Sequence, residues 1–209
     1  MSGDNLPNIE ELNFVKKLIT DKMDSLNKDV NHCLQPPFAP MPAILWCFAC
    51  LDLLAALLAG QALKFVPGSN ERVNIKTNAQ SYMRVYMDYN PLQLELIFEV
   101  FRHKLVHVSQ PGPLTSYNDK TIMWMYFHES TPLHLKLLDF NIPEVRQIIP
   151  GLTERIDQIF ILSISQFKQD IINSVFKPGG YLEKLETNPD IQSNCWRAIK
   201  DMHKPQEIK

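Results

Sequence analysis

Arg102-His103-Lys104-Leu105-Val106-His107 sets a permanent cation among titratable imidazoles at the end of an apolar helical stretch. Arg102 and His107 are five positions apart, a little over one helical turn, so both lie near one edge of a helix. Residue types of this kind suit a phosphodiester. Histidine moves a proton near neutral pH, and arginine holds the charge that develops on phosphate oxygens. His103 and Lys104 add phosphate-binding groups beside them, although a lysine there also fits the solvated face of a helix. The spacing alone is not distinctive, because Arg197 and His203 bracket a similar interval in a polar C-terminal stretch. The setting differs. Arg102 closes a run rich in Leu and Phe, and Gln110-Pro111-Gly112-Pro113 stops the helix soon after.

Asp52 is the second residue with chemical promise. It stands within Ala43 to Leu63, the most apolar stretch of the chain. A carboxylate buried there needs a partner. Arg102 fits that role, since it too projects from an apolar helix, and the pair would hold the guanidinium at the mouth of a cleft. Lys64, Arg84 or a neighbouring backbone group are the other candidates.

These residues must be carried by helices. A first helix is expected from Pro7 to about Leu34, where Ile9, Leu12, Val15, Leu18, Ile19, Met23 and Leu26 recur at helical spacing. Four prolines between Pro36 and Pro42 form a rigid connector. A second helix should run from Pro42 to about Phe65 and a third from Thr77 to Tyr89. Asn90-Pro91 marks the start of a fourth, ending near Val108, with Asn as cap and Pro in the first turn. Thr121 to Phe127 and Leu133 to Phe140 are short aromatic-rich runs between turn formers, and they predict an antiparallel hairpin or meander around 114–140. Trp124, Tyr126 and Phe127 suit its core, or stacking on bases. From Gly151 to Phe176 the spacing predicts one long helix, and short helices should fill 179–203. The expectation is therefore a mainly α bundle, one domain over 1–209, with its only β-structure in the insertion.

Composition limits what such a domain can do. With 209 residues and a formal net charge of −2, the chain lacks the basic excess of a high-affinity nucleic-acid binder. A small basic cleft that acts on RNA transiently remains compatible. Cys47 and Cys50 have the C-x-x-C spacing, but no second such pair completes a zinc site, and their apolar flanks suit buried thiols. His128-Glu129 and His134 lack companions at ligand spacing and read as surface residues. No metal and no cofactor is therefore expected. Ala43 to Leu63 is long enough to span a bilayer, but Asp52 falls in its middle and no Lys/Arg cluster flanks it. A buried helix and a cytoplasmic, reducing location are the expectation, with no membrane partner.

The arginine, the polar residue after it and the histidine, read as R-polar-x3-H at Arg102 to His107, resemble the signature of the HEPN-domain family. The resemblance covers those six residues in detail and the rest only as an order of helices. It implies a HEPN-like helical bundle that forms a homodimer, with arginine and histidine of both protomers meeting at the interface. It further implies a metal-independent endoribonuclease with RNA as substrate. Arg102 and His107 would then be catalytic, supported by His103 and by Asp52, which orients the arginine. The alternative is a HEPN-like module without activity, serving dimerisation or ligand binding.

Overall fold

The computed structural model describes residues 6–61, 74–102, 115–139 and 156–204. Helix α1 (Ile9–Cys33) begins at a reciprocal cap: the Asn8 side chain accepts from Glu11 N–H, and the Glu11 carboxylate accepts from Asn8 N–H. Its buried stripe is Val15, Ile19, Met23, Leu26 and Val30, the three- and four-residue spacing of one helix face.

Helix α2 (Pro40–Ala59) enters through prolines in its first turn and leaves at Gly60, whose φ of 69° is left-handed. Nine of its residues are buried, because α1, α3, α5 and α7 (the last three defined below) all pack on it. By length and hydropathy alone α2 could cross a membrane. Here it is the central helix of the bundle, as the sequence implied.

Asn74 caps α3 (Ile75–Tyr86) through Thr77 N–H. Asn90 and Gln93 form a second reciprocal cap at α4 (Pro91–Leu96), with Pro91 in the first turn. The helix then widens into a π-helical turn over Ile97–Arg102. Four of those six residues, Ile97, Phe98, Val100 and Phe101, are buried. Turns of this kind are rare and recur at functional positions.

The sheet departs from the expected hairpin. Strands β1 (Thr115–Tyr117) and β2 (Lys120–Phe127) do pair antiparallel across a tight turn at Asn118-Asp119, where both residues have positive φ. The third strand, β3 (Leu137–Asp139), pairs instead with β4 (Gln158–Ser163), and β4 lies parallel to β2. The order is β1-β2-β4-β3, a mixed sheet. Two expectations fall here. β-structure is not confined to 114–140, and 158–163 is strand rather than part of a helix from Gly151. Ile159-Phe160-Ile161-Leu162 is a continuous apolar run buried on both faces, which is how a central strand with a parallel neighbour looks in sequence.

Ser163 ends β4 and at once caps α5 (Ile164–Phe176) by accepting from Gln166 N–H at 3.1 Å. Ile164, Phe167, Ile171 and Val175 carry the helical spacing that earlier merged strand and helix into one element. Helices α6 (Tyr181–Thr187) and α7 (Pro189–Met202) follow, in the region where short helices were expected. Phe160, Leu162 and Ile122 from the sheet join the same apolar cluster as α1 to α7.

Candidate functional site

The central helix and the π-helical turn meet at a charged pair. Asp52 sits midway along α2 and Arg102 closes the turn. Arg102 Nη2 donates to Asp52 Oδ2 at 2.8 Å, the contact the sequence predicted. Both side chains are largely buried, at 17% exposure for Arg102 and 29% for Asp52. The guanidinium also lies 5.6 Å from the Phe98 ring centre, one helical turn back, a cation–π contact.

The pair is incomplete. Asp52 Oδ1 and Arg102 Nε are buried without a hydrogen-bond partner among the described residues. Burial pushes the Asp52 carboxyl above its ordinary pKa, and the hydrogen bond and charge of Arg102 only partly offset this. A buried guanidinium N–H and a carboxylate oxygen left open are costly unless something else meets them. His103, Lys104 and His107 lie outside the described residues, so the histidine half of the motif has sequence position only.

The second arginine interval has a structural use. Arg197 Nε donates to the Gly60 carbonyl at 3.0 Å and its Nη2 to Asn194 Oδ1 at 2.8 Å. It thus closes the C-terminal end of α2. A Cβ at position 60 would run into the Arg197 guanidinium.

A second polar cluster was not anticipated. His134, expected at the surface, is partly buried, its side chain 9% exposed. Its Nδ1 accepts from Ser163 N–H at 3.0 Å, so the proton of the neutral ring is on Nε2, facing Asp170 Oδ2 at 3.4 Å. Tyr89 O–H donates to the same oxygen at 2.7 Å, and Gln166 donates to Asp170 Oδ1 at 2.8 Å. Burial alone would raise the Asp170 pKa, but the hydrogen bonds from His134, Tyr89 and Gln166 outweigh it and hold the carboxyl below its usual value. Burial also raises Tyr89 well above the ordinary phenol range, and the neighbouring carboxylate adds to it. Three segments far apart in sequence supply this cluster, at Tyr89, at His134 and over Ser163–Asp170, and the placement of β4 in the sheet brings them together.

The cysteines behave as buried thiols. Cys47, Cys50 and Cys195 are buried and Cys33 is partly so, all free. Desolvation pushes Cys50 up to about 11 and raises Cys47 and Cys195 too. These are inert thiols rather than nucleophiles. Among the described residues no group of His, Cys, Asp and Glu is arranged to hold a metal ion. No family model matches the chain, and neither a curated protein nor a solved structure matches it.

Proposed function

We propose that this protein is a metal-independent endoribonuclease centred on Arg102 and His107, with Asp52 as the positioning residue of the arginine. One observation carries the reading: Asp52 pins Arg102 through one terminal nitrogen while Arg102 Nε stays buried and, among the described residues, unpartnered. A guanidinium held in this way is oriented before its ligand arrives, and its spare donor suits a phosphate oxygen.

In the reaction proposed, His107 accepts the proton of a ribose 2′-hydroxyl. The freed oxygen attacks phosphorus, and Arg102 neutralises the charge on the equatorial oxygens. The bond to the 5′-oxygen breaks, that oxygen takes up a proton, and a 2′,3′-cyclic phosphate remains on the other fragment. His103, the next residue in sequence, is the proposed supporting group. The active unit is a homodimer, with the end of the helix that carries Arg102 at the two-fold axis.

The test is cleavage of single-stranded RNA by purified protein in EDTA, with cyclic phosphate ends read by mass spectrometry. The expected result is cleavage that vanishes in Arg102→Ala and in His107→Ala. Cleavage that persists in both variants sinks the reading. The burial of the Asp52–Arg102 pair, at 29% and 17% side-chain exposure, favours a second reading, a dimerisation or ligand-binding module without activity. A folded dimer that cleaves no RNA decides for it.

A further inference from the structure

The sheet carries a row of rings that the proposed chemistry does not use. Trp124, Tyr126 and His128 alternate along and just beyond β2, so their side chains share one face. Trp124 and Tyr126 are parallel within 10° at 5.9 Å between ring centres, and Tyr126 and His128 within 17° at 5.9 Å. Phe38, from the proline-rich connector, covers the end of the row at 4.7 Å from His128. At the other end Trp124 meets Phe101, the residue before Arg102, edge to face at 6.2 Å. The row therefore leads from the exposed connector to the candidate arginine.

All three rings are half-buried, and offset stacking leaves part of each face uncovered. Phe38 is 55% exposed on a surface connector. A cleft of about 440 Å³ opens beside it, lined by Tyr126, Phe127, His128, Glu129, Ser130 and Thr131. That is within the usual range for a small-ligand site. The Glu129 carboxylate points to the ligand. Its backbone carbonyl accepts from Ser163 Oγ at 2.7 Å, but its side chain has no hydrogen bond or ion pair among the described residues.

We infer that this cleft seats an unpaired guanine of single-stranded RNA, stacked on the outer side of the Phe38–His128 ring pair, with its Watson–Crick edge on Glu129. The inference rests on the ribonuclease reading above and supplies its substrate preference. Flat rings in a parallel row match the faces of bases, which every base offers and which single strands expose. A quaternary ammonium ion would instead need ring faces converging around it. Carboxylate next to the stack disfavours phosphate and favours a base edge rich in donors. Guanine presents two adjacent donors, N1–H and the N2 amine, to the two carboxylate oxygens. Uracil offers one donor flanked by acceptors. Phosphates of the same strand would run toward Arg102 at the far end of the row.

The experiment measures binding apart from cleavage. Short RNAs with 2′-O-methyl groups lack the attacking hydroxyl, so the wild-type chain can be titrated intact by fluorescence anisotropy. Guanine-containing strands should bind more tightly than oligouridine. Phe38→Ala and His128→Ala should each weaken guanine-strand binding by about tenfold, the size of one lost base–ring stack. Glu129→Gln should abolish the guanine preference and leave oligouridine binding unchanged. Phe38 and Glu129 are exposed, so these two variants test the site without disturbing the core. Wild-type affinity in both Phe38→Ala and His128→Ala overturns the inference, as does binding without guanine preference or no binding at all. Cleavage of unmodified RNA is scored separately. A chain that binds guanine strands and cuts nothing loses the nuclease and keeps the base site. One that cuts RNA while the stacking variants bind normally loses only the base site.

Discussion

Two partly buried carboxylates, Asp52 on α2 and Asp170 on α5, show opposite ways of handling a charge in an apolar setting. Asp170 collects donors on both oxygens, from Tyr89, His134 and Gln166, and its pKa falls. Among the described residues Asp52 has a single donor, Arg102, and keeps one oxygen open, and its pKa rises. A saturated cluster is what structure alone requires. The unsaturated one holds a cation in place and leaves donor capacity over. The difference is the physical reason for placing chemistry at Asp52–Arg102 and architecture at Tyr89–His134–Asp170.

The comparison breaks most easily on activity. Arg102→Ala and His107→Ala should each lower the rate of RNA cleavage in EDTA by about 10²–10⁴-fold. Asp170→Asn, assayed at a temperature where it is folded, should cleave at the wild-type rate. An Asp170→Asn variant as crippled as Arg102→Ala would erase the distinction between the two clusters.

Stability should rank the other way. Asp170→Ala strands three donors, and urea unfolding should show a loss of about 2–4 kcal/mol. Asp52→Ala strands one guanidinium that is still partly in water, so about 1–2 kcal/mol is expected after allowing for solvent screening. Equal losses would mean that the openness of the Asp52 pair has no energetic meaning.

A loss of similar size belongs to Gly60→Ala. Its left-handed backbone costs about 1–2 kcal/mol for a residue with a Cβ, and the Arg197 guanidinium must also shift. Thermal unfolding should record this while RNA cleavage is retained, since Arg197 closes a helix end and takes no part in the proposed site.

The finest distinction is pH. Asp170, with its pKa lowered in the folded state, stabilises the protein above the ordinary carboxylate value of 3.8. That contribution disappears as pH falls through the folded pKa, so the deficit of Asp170→Asn should shrink in acid. Asp52, with its pKa raised, has the reverse sign: the folded state binds the proton more tightly, so stability declines as pH rises from 3.8 through the raised value. Asp52→Asn should therefore gain on the wild type across that interval. Melting curves of both variants between pH 3 and 7 would show slopes of opposite sign; matching slopes would contradict the assignment.

How far the sequence spoke follows from the same pair of clusters. Asp52 and Arg102 were legible because a charge in an apolar helix stands out against its neighbours. The capping residues Asn90 and Pro91 marked a helix start correctly for a similar local reason. Tyr89, His134 and Asp170 each sit in unremarkable polar surroundings, and their meeting depends on long-range pairing. That pairing was missed because Ile159-Phe160-Ile161-Leu162 is uniformly apolar and the strand runs directly into a helix, so the two periods overlap. Ser163 was the available signal, a cap in the middle of an assumed helix.

The burial of α2 also has a consequence for biosynthesis. The chain makes α2 early and α5 and α7, which cover it, about a hundred residues later. At about 5–20 residues per second, a ribosome leaves this greasy segment without its permanent cover for roughly 5–20 s. During that interval it resembles the substrates of the membrane-insertion machinery. Asp52 penalises insertion, since an aspartate at the bilayer centre costs about 2.5–3.5 kcal/mol on translocon scales. The carboxylate that later positions Arg102 thus biases the nascent helix away from lipid before its arginine has been synthesised.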